Sequence, residues 1–157
     1  MNSAAHIVAA LLARGQILVT AESCTGGMLA ACITDIAGSS AVFDRGFVTY
    51  SNAAKSELLD VPHKLLESFG AVSEQVAISM AEGGLRHSPA TISIAITGIA
   101  GPAGGSDTKP VGLVHFGLAQ RHKKTLAEHK IFTGNRQDVR IQARDHALQM
   151  LGKVLAG

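Results

Sequence analysis

A chain of 157 residues is long enough for one domain around one hydrophobic core, burying roughly 68–70% of the surface its unfolded form exposes. An apolar fraction of 46% with only 4% aromatic residues calls for a core of Ala, Val, Ile and Leu, which suits helices on a sheet better than a β-sandwich. With 14 basic and 12 acidic residues the net charge is +2, and this near balance excludes the clustered basic face of a bulk nucleic-acid binder.

The apolar spacing from Ala4 to Ala13 predicts a helix, closed by Arg14-Gly15. Ile7 to Ala13 is too short to cross a bilayer, and no leader pattern precedes it, so the expected setting is cytoplasmic with no membrane partner. Ile17 to Ala21 reads as a strand that runs into Glu22-Ser-Cys-Thr-Gly-Gly27, and a second helix from Met28 is expected to stop near Ala37 to Ser40. Cys24 and Cys32 lie too far apart along this strand and helix to bridge, so both are expected reduced.

Ala41 to Tyr50, rich in Val, Phe, Thr and Tyr, reads as a second strand. Ser51 or Asn52 then caps a short helix through Leu59, Pro62 opens another, and Ser73 caps a helix over Val76 to Leu85. Thr91 to Thr97 is a strand too apolar to face water on either side, and it meets the glycine-rich loop Gly98 to Gly105. Val111 to Ala119 and Thr125 to Thr133 read as two more strands joined by the basic turn His122-Lys-Lys124, and Arg136 to Leu155 as a closing helix. This order predicts an α/β fold, a three-layer α/β/α domain over residues 1–157 with a mixed, mainly parallel sheet of about five strands.

Ligands of open α/β sheets bind beyond the carboxyl ends of the strands. Parallel first, second and third strands therefore bring one crevice together from Glu22, Ser23, Cys24, Thr25, Gly26, Gly27, Tyr50, Ser51, Asn52, Lys55, Thr97 and the loop through Gly98, Gly101 and Gly104. Hydroxyls, one lysine and backbone N–H groups suit acyl transfer better than redox chemistry. Ser23 is the leading nucleophile, with Tyr50 or Lys55 as its base once partly desolvated. Cys24 is the rival, because a thiolate is the better attacker. A bland reading stands beside each: a capping serine, a strand-end tyrosine, a surface lysine.

None of the seven histidines has metal-ligand spacing with Cys, Asp or Glu, and most are expected at the surface. The loop after Thr97 lacks the Gly-Lys-Ser/Thr ending of a P-loop and the spacing of a dinucleotide fingerprint, so neither ATP nor NAD is expected and no cofactor is assigned. Arg136, Arg140 and Arg144 share one helix face at i, i+4 and i+8, a stripe suited to a phosphate or simply to solvent.

Several segments together resemble the CinA C-terminal domain family: Ala21-Glu-Ser-Cys-Thr-Gly-Gly27, Asp35-Ile-Ala-Gly-Ser-Ser40, Gly46-Phe-Val-Thr-Tyr-Ser-Asn52 with Lys55, Gly70-Ala-Val-Ser-Glu74, Thr97-Gly-Ile-Ala-Gly-Pro102 and Lys109-Pro-Val-Gly112. The likeness is greatest to stand-alone members that act as nicotinamide-nucleotide amidases, without the molybdopterin-binding-like domain of two-domain members. It implies hydrolysis of the carboxamide of nicotinamide mononucleotide (NMN) to nicotinic acid mononucleotide and ammonia, and a homodimer or higher homo-oligomer. It also implies catalytic roles for Ser23, Tyr50 and Lys55; Thr97 stands where the family has a small hydroxyl. The chemistry so implied is attack by Ser23, proton relay by Lys55 and Tyr50, an oxyanion held by N–H groups near Thr25 to Gly27, and Arg140 with the glycine loop on ribose and phosphate. The alternatives are a non-catalytic interaction module linked to competence or DNA damage, and an amidase for another nucleotide.

Overall fold

The computed structural model describes residues 3–157. In chain order they form α1 (Ala4–Arg14), β1 (Leu18–Glu22), α2 (Met28–Thr34), β2 (Phe43–Val48), α3 (Asn52–Leu59), α4 (His63–Phe69), α5 (Glu74–Arg86), β3 (Ile92–Gly98), β4 (Leu113–Gln120), β5 (Leu126–Ile131) and α6 (Arg136–Ala156). The strands lie in the order β2-β1-β3-β4-β5. β1 is parallel to both β2 and β3, whereas β4 runs antiparallel to β3 and to β5. Four strands thus point one way and β4 opposes them, a mixed, mainly parallel sheet.

Alternation along the strands divides two cores. Leu18 of β1 and Ile92, Ile94 and Ile96 of β3 face α1, α2 and α6, while Val19, Ala21 and Ala95 face α3, α4 and α5. The result is three layers, α/β/α. β1 and most of β3 are buried on both faces, as expected for central strands. β2 and β5 are the edges and remain largely exposed.

Side-chain caps set the helix starts. Ser3, Ser51 and Ser73 accept from the N–H of His6, Ala54 and Val76, and Asn135 with Asp138 forms a capping box at α6. Several elements are shorter than their sequence pattern suggests, among them β5, which keeps only Leu126–Ile131 of the expected Thr125 to Thr133. α2 stops at Thr34, and Ser39–Ala41 instead form one tight 3-10 turn after Gly38. β2 spans Phe43–Val48 because its one neighbour is the five-residue β1. α3 sits directly on α5 because residue 83 is glycine: a Cβ there would lie 2.1 Å from the Leu59 carbonyl oxygen. That close approach brings α3, and Lys55 on it, down over the carboxyl ends of the parallel strands.

Candidate active site

Ser23 is the first residue beyond β1, fixed by its N–H donating to the Ile96 carbonyl of β3 at 2.9 Å. Alternation turns Glu22 towards α2 and Ser23 towards α3. From α3, Lys55 reaches inward until its Nζ lies 3.0 Å from Ser23 Oγ, 3.1 Å from the Thr49 carbonyl and 3.4 Å from that of Tyr50. Its exposure is 1%, which discards the surface reading. Burial pushes the Lys55 ammonium below its usual 10.5, with a smaller opposing effect from Cys24. A neutral amine fits these partners fully. Its two N–H bonds serve the two carbonyls, and its lone pair accepts the Ser23 O–H. Three acceptors also satisfy the ammonium, so the site can hold the proton before and after transfer.

Cys24 has a different environment. Burial pushes its thiol up to about 11, partly offset by a hydrogen bond from its own backbone N–H; the Glu22 charge adds to the rise, and Arg140 and Lys55 oppose it. A thiol so protonated is a poor rival to Ser23.

A cavity of about 280 Å³ opens above the pair, lined by Ser23, Cys24, Tyr50, Asn52, Lys55, Ala71, Val72, Thr97, Ala103, Arg136 and Gly98 through Gly101 with Gly104. The structure therefore brings together most of the residues singled out along the sequence. Thr97 Oγ1 donates to the Ala71 carbonyl at 2.9 Å and ties one wall to the other.

Several expected contributors stand elsewhere. Glu22 is fully buried and accepts from Thr25 Oγ1 at 2.6 Å, Leu29 N–H at 2.9 Å and Ala30 N–H at 3.0 Å, so it cannot bind substrate. Thr25 spends its hydroxyl on that carboxylate. Gly26 and Gly27 shape the turn behind the cavity and do not line it; Gly27 has φ +101°, a conformation that favours glycine. The Gly26 N–H is taken by the Ser23 carbonyl at 3.1 Å, the Cys24 N–H faces its own thiol, and those of Thr25 and Gly27 have no acceptor among the described residues. Ser51 caps α3.

The Tyr50 hydroxyl makes no hydrogen bond to Ser23 or Lys55; it accepts from Arg136 Nη2 at 2.9 Å. Arg140 is likewise reassigned. Its guanidinium donates to the carbonyls of Cys24 and Thr25, each at 3.1 Å, and braces the turn. Arg136, one turn earlier on α6, is the arginine at the cavity, donating to the Gly101 carbonyl at 2.8 Å. The stripe pattern contained Arg136 but gave no reason to prefer it. Arg144 pairs with Asp145. Among the histidines, His146 departs from the expected surface position: it is buried against Phe116 and bonded to Glu128 at 2.8 Å.

The fold and cavity define a class, a small α/β/α domain with a buried serine–lysine pair at the carboxyl ends of its parallel strands. Comparison with known proteins gives the family. The CinA C-terminal domain model matches residues 1–155, and the chain belongs to that family. It is 56% identical over 144 residues to the nicotinamide-nucleotide amidohydrolase PncC of Enterobacter agglomerans, covering 92% of this chain and 88% of that one. To the protein of the same name from Escherichia coli K12 it is 50% identical over 151 residues, covering 96% and 92%. The crystal structure of the competence/damage inducible protein CihA from Agrobacterium tumefaciens superposes with a TM-score of 0.94 at 46% identity, covering 98% of this chain and 93% of that one. No helix among the described residues is long and apolar enough to cross a membrane.

Proposed function

We propose that this protein is an amidohydrolase that cleaves the carboxamide of NMN, giving nicotinic acid mononucleotide and ammonia, with Ser23 as nucleophile and Lys55 as its base. The observation that carries the reading is the 3.0 Å contact between a buried lysine amine and a serine hydroxyl on the floor of an open cavity. The amidohydrolase relatives supply the substrate.

Neutral Lys55 takes the Ser23 proton as Oγ attacks the amide carbon. The carbonyl oxygen becomes an oxyanion, and the backbone N–H of Cys24, the cavity-lining residue next to Ser23, is the donor placed nearest to it. The Lys55 ammonium returns its proton to the departing amine, ammonia leaves, and the acid remains as an ester on Ser23. Water then repeats the sequence, giving its proton to Lys55 as it attacks, and the acid is released. Arg136 supplies the cation for the nucleotide phosphate. Tyr50 orients that guanidinium rather than relaying the proton.

A concave cavity into which Ser23, Lys55 and Arg136 converge favours this over a docking module, which would present an exposed apolar patch. The two free cysteines suit a reducing cytoplasm, and the exposed Leu126 and Ile131 on the unpaired β5 edge suit a homo-oligomer. The direct test is ammonia release from NMN beside free nicotinamide and an unrelated amide. Selective release from NMN is the expected result; release from none of the three, by folded protein, overturns the proposal.

A further inference from the structure

Glu22 is a buried carboxylate that the proposed reaction leaves without a part. Its exposure is 0%, and no Lys, Arg or His lies within ion-pair reach among the described residues. A carboxylate stripped of water without a counter-cation must be held by donors that the fold fixes in place. Three such donors are present, the Thr25 hydroxyl and the N–H groups of Leu29 and Ala30.

These donors belong to the two segments that carry the chain away from Ser23, the turn through Gly27 and the first residues of α2. Glu22 and Ser23 are consecutive and face opposite sides of the sheet, so the backbone between them is anchored on one side by the carboxylate and on the other by the Lys55 contact. Arg140 braces the same turn through the carbonyls of Cys24 and Thr25. A glutamine at position 22 has one oxygen and one NH₂ group. It cannot accept all three bonds in this geometry, because its NH₂ would face an N–H or O–H donor.

We propose that Glu22 is a positioning residue for the amide hydrolysis, an inference that rests on the functional reading above: by fixing the turn after Ser23 against α2, its carboxylate holds the serine hydroxyl at the Lys55 amine. Displacing a reacting atom by about 1 Å can cost roughly 100-fold in rate.

The test compares wild type, Glu22→Gln and Thr25→Val. Steady-state kinetics on NMN are normalised to active sites titrated by complete labelling of Ser23 with phenylmethanesulfonyl fluoride, read by intact mass, and the labelling rates are recorded as well. Glu22→Gln is expected to lower kcat per site roughly 100-fold, and Thr25→Val, which removes one hydroxyl donor, roughly tenfold. KM stays within about twofold, and labelling slows in the same order. A merely structural role would lower the number of titratable sites and leave kcat per site unchanged, and that result overturns the proposal. Should Glu22→Gln fail to fold, Thr25→Val decides, since it keeps the carboxylate and both N–H bonds. Failure of wild type to hydrolyse NMN would remove the amidase reading instead, and the labelling rates, which need no nucleotide, would still judge Glu22.

Discussion

The two faces of the sheet are built differently. The face under α1, α2 and α6 is a continuous apolar core from Ile7 through Ile94 to Leu151. The opposite face, under α3, α4 and α5, packs Val19, Leu59 and Met80 but gives way at the carboxyl ends of β1 and β3 to Lys55, Ser23, Thr97 and the cavity. One face carries stability, and the other gives up part of it to bury an amine. Lys55 shows the cost: its lowered pKa means that the folded state disfavours the ammonium relative to the unfolded chain.

This contrast can be broken most severely at the serine–lysine pair. Ser23→Ala is expected to lower kcat roughly 10⁴-fold or more, and the double variant with Lys55→Met to lose little further, because the two act as one unit. Lys55→Met alone is expected to cost roughly 10³-fold in kcat. It should also relieve the fold of a charge that it disfavours, a gain set against the pH-independent cost of two carbonyls left without N–H donors. The penalty it relieves is complete below the folded-state pKa and fades as pH rises towards 10.5, so in denaturation the variant should fare better against wild type at pH 7 than near pH 10.

Arg136→Met sharpens the comparison within the cavity. It is expected to raise KM for NMN roughly 10- to 100-fold with little change in kcat, whereas Arg144→Met, on the same helix and bonded to Asp145, leaves both unchanged. On the apolar face, Leu151→Ala is expected to lower unfolding free energy by about 3 kcal/mol in denaturant titration. Its effect on kcat of the folded protein should be negligible, in contrast to that of Lys55→Met.

The fold was legible because its signals are local. Alternation and caps located β1, β3 and the starts of α3 and α5 to within a residue or two, and glycines marked the turns. The site was legible in part. Parallel strands deliver the residues beyond their carboxyl ends to one place, so Ser23, Lys55 and Thr97 meet as expected. Glu22 was misread although strand parity already separates it from Ser23. The choice between Arg136 and Arg140 was beyond the sequence. Both lie on one face of α6, and only the tertiary placement of that helix sets the first against Gly101 and the second over the Cys24 carbonyl.

The central claim is that a neutral Lys55 activates Ser23, and the pH dependence of kcat/KM for NMN tests it most directly. Activity is expected to rise with pH along a limb whose midpoint lies below 10.5, as Lys55 loses its proton in the free enzyme, and the limb should be missing from the residual activity of Lys55→Met. A limb that persists unchanged in Lys55→Met would contradict the account.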